Sequence, residues 1–299
     1  MNYFRTNLSR FKLITFDVTD TLLEYAVRPE RHYAHVINSV LEPHLKVAID
    51  EKIIGKSFVR CFRSMKSQYP NFGYTRKFSN ETNREENWHW WWRTLVERVI
   101  LEAASQSNCN KIPQPLLGKI ANQLIDDYTF DTKQVCWKKC AGVDLFLRAL
   151  QETRTVDPST QYQGKIVGVI SNFDSRLSTI LLNNGISSTM RDNCETRMVD
   201  FIITSYEAGV EKPDPKIFEI ALKRANLQSH TSPVQPHEAL HIGNLYNEDF
   251  LGARGAGWHA LLVNVPKANE EAWKIPRRHI FSGISDLQVR LENDPIFEW

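Results

Sequence analysis

The run at 11–16, Phe-Lys-Leu-Ile-Thr-Phe, stands apart in the chain: it is short and apolar, carries β-branched residues, and ends on Asp17, while the next comparable runs lie beyond Cys136. Such a segment suits a strand buried on both faces of a parallel sheet. Its neighbours are predicted at 165–170, 200–204, 239–242 and 260–263, with helical sequence between them. From 28 to 130 no strand pattern occurs, and helices are predicted at 29–41, 50–68, 83–104 and 113–130. The spacing therefore describes a parallel sheet interrupted after its first strand by an inserted helical block, and 299 residues suffice for two compact units.

Local signals agree with this division. In the third helix Trp88, Trp91, Trp92, Leu95, Val96 and Val99 recur at helical spacing, which predicts a core-facing stripe. Trp90, beside His89 and Arg93, falls outside the stripe and is a candidate for solvent, a partner or a ligand. The helix predicted at 176–184 stops at Gly185, and Lys212-Pro213-Asp214-Pro215 opens another, with Asp214 as its cap and Pro215 in the first turn. Polar stretches at 153–164, 187–197 and 229–237 read as loops.

Charge and composition exclude several functions. Lys and Arg total 37 against 35 acids, with no long basic run to follow a phosphate backbone, so nucleic acid is not an expected partner. No apolar stretch approaches the roughly 18 residues of a membrane span, and the first residues lack the apolar region of a signal peptide. No membrane partner is expected, and the chain is placed inside the cell, in the cytoplasm before the nucleus or mitochondrion. The five cysteines are odd in number and scattered, which predicts reduced thiols; Cys136 and Cys140 lack a second pair for structural zinc.

In open parallel sheets, ligands sit beyond the carboxyl ends of the strands. Asp17 stands after the first predicted strand, Ser171 and Asn172 after the second, Lys212 shortly after the third, and Asn244 and Asp249 after the fourth. Any one of them is an ordinary turn, cap or surface residue. Together, in this order, they suit phosphoryl transfer. Asp17 would attack phosphorus, while Ser171, Asn172 and the backbone of Val18 and Thr19 would hold the phosphoryl oxygens. Lys212 would offset the gathering negative charge.

The segments Ile14-Thr15-Phe16-Asp17-Val18-Thr19-Asp20-Thr21-Leu22, Val169-Ile170-Ser171-Asn172, Lys212-Pro213-Asp214-Pro215 and His241-Ile242-Gly243-Asn244 resemble the four motifs of the haloacid dehalogenase superfamily. The Asp-x-Thr-Asp-Thr opening, the turn at 69–73 and the pair Trp91-Trp92 resemble one subfamily of it more narrowly. The resemblance implies an α/β fold: a Rossmann-like parallel sheet of order 3-2-1-4-5, with a core of 1–24 and 137–299 and an inserted helical cap at 25–136. It also implies Mg²⁺-dependent hydrolysis of a small phosphorylated substrate through an aspartyl-phosphate, with Asp17, the Thr19 carbonyl, Asn244 and Asp249 around the metal.

Two positions depart from that pattern. Thr19 stands where phosphatases of the superfamily carry the aspartate that protonates the leaving group, and a hydroxyl cannot act as that acid. General acid–base catalysis contributes about 10²- to 10⁴-fold, so roughly 3–5 kcal/mol of transition-state stabilisation is missing for poor leaving groups. Asn244 replaces a charged metal ligand with an amide, which predicts weak or absent Mg²⁺ binding. The expected function is a slow or specialised Mg²⁺-dependent phosphohydrolase acting through an aspartyl-phosphate on a small phosphorylated metabolite. A catalytically silent binding module is the alternative, and a metal-independent 2-haloacid dehalogenase, with Arg60 or Arg63 cradling halide, is a further one.

Overall fold

The computed structural model describes residues 2–76, 87–107, 111–130, 135–153, 165–186, 198–228, 232–267 and 270–299. The loop predicted at 187–197, all but the first residue of the loop predicted at 153–164, the first residues of the loop at 229–237, the start of the helix predicted at 83–104, and Cys109 and Cys194 lie outside them. Cys61 and Cys136 are buried thiols.

Strand β1 spans Leu13–Phe16 and is buried at every position, as an apolar run with neighbours on both sides requires. Two short strands, β2 (Leu23–Tyr25) and β3 (Trp137–Lys139), pair with each other at the two ends of the helical segment. The remaining strands are β4 (Ile166–Ser171), β5 (Phe201–Thr204), β6 (Ala239–Gly243), β7 (His259–Val263) and β8 (Ile280–Phe281). The main sheet is parallel throughout, in the order β5-β4-β1-β6-β7-β8. Counted in chain order this is the expected 3-2-1-4-5 sheet, extended at its edge by β8. Two residues paired at a sheet edge are too short a signal for hydrophobic patterning to register, so the sequence reading missed β8. With β4 on one side of β1 and β6 on the other, the order reverses at β1, and the crevice falls at the strands' carboxyl ends.

The chain divides into two compact units, one of Met1–Glu24, Lys139–Asn172 and Asn184–Trp299, the other of Tyr25–Lys138 and Phe173–Asn183. The first holds the sheet. The second is helical, built on Pro29–Leu45, Glu51–Gln68, Asn87–Gln106 and Gln114–Thr129. Asp50 caps the second of these helices by accepting the Lys52 amide at 2.8 Å, the bond a short acidic side chain makes at a helix start. Trp91, Leu95, Val96 and Val99 are buried in its core with Ile100, Ala103 and Ala104, while Trp88 and Trp92 are only half-buried at the margin. Trp90 packs edge-on against Tyr69 at 5.0 Å, with the Arg76 guanidinium 3.5 Å from its ring centre. Segment Phe173–Asn183 joins this unit through hydrogen bonds from Trp92 Nε1 to Asp174 (2.7 Å) and from Asn183 Nδ2 to the Thr129 carbonyl (3.3 Å). Among the described residues no helix is long and apolar enough to cross a membrane.

Candidate functional site

All the strand-end residues singled out from the sequence belong to the sheet unit. Asp17 follows β1, its amide bonded to the Ile242 carbonyl of β6 at 2.9 Å, so the neighbouring strand holds the backbone that presents its carboxylate. Lys212 is 3% exposed, and its Nζ makes three bonds: to Asp17 Oδ1 at 2.7 Å, to Asp249 Oδ1 at 2.6 Å and to the Ile170 carbonyl at 3.0 Å. One cation thus ties together the ends of β1 and β4 and the segment after β6.

Asn172 braces the backbone at Lys212. Its Nδ2 donates to the Lys212 carbonyl at 2.9 Å and its Oδ1 accepts the Lys212 amide at 2.7 Å, so the side chain clamps the backbone that carries the ammonium. The Lys212–Pro213 peptide is cis. Ser171 is buried at the end of β4.

Asp249 is also fully engaged. Oδ1 accepts from Lys212 and from His241 Nε2 at 3.0 Å, and Oδ2 accepts the amides of Asn244 at 3.0 Å and Leu245 at 2.9 Å. Gly243 makes this possible, because a Cβ there would lie 2.2 Å from Asp249 Cγ. His241 and Thr15 are functional neighbours that sequence reasoning gave no role. They face each other across the β1–β6 register, and Thr15 Oγ1 lies 2.9 Å from His241 Nδ1. An ionised carboxylate only accepts, so Nε2 carries the ring proton and Nδ1 accepts the threonine hydroxyl. The available signal was polarity: Thr15 and His241 are polar residues inside strands that are otherwise apolar and buried.

Burial dominates the electrostatics. It raises the Asp17 carboxyl above its ordinary range, and Asp249 adds to that, against the opposing pull of Lys212. Burial works equally against the Asp249 charge, but Lys212 and the His241 bond outweigh it and hold that carboxyl well below its usual range. Burial alone would lower Lys212; the two carboxylates raise it. Burial also lowers His241, which stays neutral. With all three groups ionised, Asp17, Asp249 and Lys212 would sum to one net negative charge.

The turn after Asp17 is built on the Val18 carbonyl, which accepts the amides of Thr21, Leu22 and Leu23 at 3.1, 2.9 and 2.9 Å. Asp20 adopts φ +57°, a conformation glycine reaches without strain, and its carbonyl accepts Asn264 Nδ2 at 3.1 Å. Asp20 lines a separate cavity of the sheet unit with Glu24, Asn264 and Asp286. Thr19 is half-buried beside it.

A Mg²⁺ ion gains from several anionic oxygens in octahedral reach. Here Asp249 has both oxygens occupied, Asn244 offers an uncharged amide, and among the described residues no group of three or more His, Cys, Asp or Glu side chains is placed to hold a metal. The donor set does not fit an ordinary Mg²⁺ site. On the helical unit, Arg60 bonds Glu102 through Nε at 2.6 Å, so this candidate halide ligand already has an anionic partner.

The description haloacid dehalogenase-like hydrolase matches residues 11–257. The chain is 32% identical to the Rhythmically expressed gene 2 protein of Drosophila melanogaster over 97% of its length and 98% of that protein's. It is 28% identical to haloacid dehalogenase-like hydrolase domain-containing protein 3 of Bos taurus over 95% of this chain and 94% of that one, and that protein represents the narrower subfamily seen in the motifs. Among solved structures, a 2-haloacid dehalogenase from Pseudomonas syringae superposes with a TM-score of 0.53 at 18% identity, covering 94% of this chain and 98% of that one, a likeness of fold.

Proposed function

This chain belongs to the haloacid dehalogenase-like hydrolase family, and from that premise we propose that it is a slow phosphohydrolase acting through an aspartyl-phosphate on a small phosphorylated molecule with a good leaving group. The observation that carries the reading is the buried ammonium of Lys212, bonded to both Asp17 and Asp249 at the strand ends.

In this reading Oδ1 of Asp17 is held by Lys212 and the other carboxylate oxygen attacks phosphorus. A bond forms between that oxygen and phosphorus as the bond to the leaving oxygen breaks, and the electron pair departs with the leaving group. Lys212 offsets the charge of two anions brought together. Ser171 and the Val18–Thr19 backbone line the phosphoryl position. Asn172 acts on the reaction only through Lys212, as a positioning residue. Asp249 likewise acts on Lys212, with His241 and Thr15 behind it.

Thr19 sets the speed. It cannot protonate the leaving oxygen, so acyl phosphates and activated aryl phosphates are the substrates that react. It cannot activate the water that later attacks the aspartyl-phosphate, so the intermediate persists. The charge balance agrees: one net negative charge beside a dianion is a smaller barrier than the fuller set of carboxylates in the family's metal-dependent phosphatases would present without their ion. No step here depends on a metal.

The test is covalent ³²P labelling and phosphate release from acetyl phosphate and p-nitrophenyl phosphate, in wild type and Asp17→Asn. Label on wild type alone supports the reading. If both proteins are equally inert, phosphoryl transfer is refuted and the chain is a binding module. Installing the missing acid and base as Thr19→Asp is expected to raise turnover at least tenfold, as the general acid–base range allows.

A further inference from the structure

The second helix of the helical unit, Glu51–Gln68, carries five basic residues against one acid, Glu51, in a chain whose charges nearly balance at 37 to 35. Ile54, Cys61 and Met65 turn one side of it into the unit's core. At 3.6 residues per turn, Lys52, Lys56, Arg60, Arg63 and Lys66 fall within an arc of about 120° on the opposite side, and all five are exposed. The stripe they form is about 21 Å long.

This arrangement does not serve the helix itself. Like charges three and four residues apart repel, and Lys52, in the first turn, stands at the end of the helix dipole that disfavours a cation. Neighbouring acids are taken up elsewhere: Glu102 accepts from Arg60 Nε at 2.6 Å, while Glu30 and Glu51 lie 3.4 and 3.1 Å from the Arg28 guanidinium. Lys52, Lys56, Arg63 and Lys66 make no ion pair with any of the described residues.

Beside the first half of the stripe lies a groove of about 800 Å³, lined in part by Lys52, Lys56, Phe58, Val59 and Arg60. Val59 is exposed on the stripe and Phe58 is half-buried next to it. Cations along a concave face with two apolar side chains complement a chain segment that carries carboxylates and one apolar anchor. A lipid surface matches less well, because helices that lie on membranes set a broad apolar face beside their cations, and here that face is in the core. Single-stranded nucleic acid also matches less well, since the exposed residues of the stripe include no aromatic ring on which a base could stack.

We propose that this basic face docks an acidic segment of a partner protein, with carboxylates at three- and four-residue spacing and an apolar side chain in the groove. The proposal does not rest on phosphoryl transfer at Asp17, and its test involves no turnover.

The probe is a fluorescein-labelled peptide of about 16 residues, long enough as a helix to cover the stripe, with Glu at every third or fourth position and Leu and Ala between; its counterpart has Gln for Glu. Binding to the full chain is followed by fluorescence anisotropy, with thermal unfolding to check each variant's fold. Wild type is expected to bind the Glu peptide but not the Gln peptide, and to lose affinity as salt rises. Lys56→Glu combined with Arg63→Glu should weaken binding about 10-fold or more. Lys223→Glu combined with Arg224→Glu makes the same change of net charge at exposed positions of the sheet unit and should weaken it less than about 3-fold. Should the reversed pair not fold, Lys56→Gln with Arg63→Gln decides, with a loss of at least about 3-fold expected. The proposal is overturned if wild type binds both peptides alike or neither, if the control pair matters as much as the stripe pair, or if phosphatidylserine vesicles or an oligothymidylate bind the stripe more tightly than the Glu peptide does.

Discussion

Replacing Asp17 or Asp249 by Asn removes one negative charge from the same lysine, yet the two variants are expected to part in stability. Asp249 accepts four hydrogen bonds, two on each oxygen. In Asp249→Asn the amide nitrogen must replace one of those oxygens, and either orientation turns a donor against two donors. Bonds to charged groups contribute about 1.5–3 kcal/mol each, so the loss is about 3–6 kcal/mol, in line with breaking one partner of a buried ion pair. Asp17 offers Lys212 one acceptor, which an amide oxygen can replace. Two oxygens bonded to one Nζ at 2.7 and 2.6 Å are at most about 5.3 Å apart, and at an effective dielectric of about 20 their repulsion is about 3 kcal/mol. Attraction to Lys212 at 2.7 Å is about 6 kcal/mol on that scale, and the several kcal/mol for burying the carboxylate complete the offset. Asp17→Asn should therefore equal wild type or exceed it by about 1–2 kcal/mol.

Thermal and urea unfolding at pH 7.5 measure the difference. At about 2–4 °C per kcal/mol, Asp249→Asn should melt roughly 6–24 °C below wild type, and Asp17→Asn at or a few degrees above it. The pH dependence carries the sign. The Asp17 carboxyl is raised in the folded state, so its ionisation opposes folding; the penalty is absent below the ordinary value of 3.8 and complete above the raised value. The Asp17→Asn advantage should shrink as pH falls toward 4. The Asp249 carboxyl is depressed, so its contribution is present above 3.8 and is lost only as pH falls through the lower folded value. Its deficit should persist at pH 4. If Asp17→Asn is destabilised as much as Asp249→Asn, the cluster does not carry excess negative charge and the reasoning fails.

Gly243→Ala places a Cβ 2.2 Å from Asp249 Cγ and should lower stability by about 2–4 kcal/mol, by overpacking and loss of Asp249 bonds, with covalent labelling lost as well; urea unfolding and the ³²P assay check it. Asn172→Ala removes two bonds to the Lys212 backbone and should reduce stability by about 1–3 kcal/mol. Its labelling rate with acetyl phosphate should fall more than its substrate affinity, because the side chain holds the ammonium and does not touch the phosphoryl group. Tyr128→Phe should be no less stable than wild type by thermal unfolding, since deleting an unpartnered hydroxyl removes no bond.

The parallel sheet and its interruption were legible because a strand buried on both faces needs a continuous apolar run, and four helices without a strand between them leave no other place for the first run to pair. The meeting of Asp17, Lys212 and Asp249 followed from the same order, since parallel strands deliver their carboxyl ends to one edge. So did the departures at Thr19 and Asn244, which are matters of residue type. What each side chain does there was a tertiary decision. Asn172 and Asp249 have the composition of ligands, but a hydrogen bond is settled by a few tenths of an ångström, and folding turned both toward Lys212. His241 and Thr15 meet only because β6 lies beside β1 in one register. A cavity beside Tyr128 draws its walls from segments as distant in the chain as Tyr33 and Arg176, and no local pattern records an empty space enclosed by them.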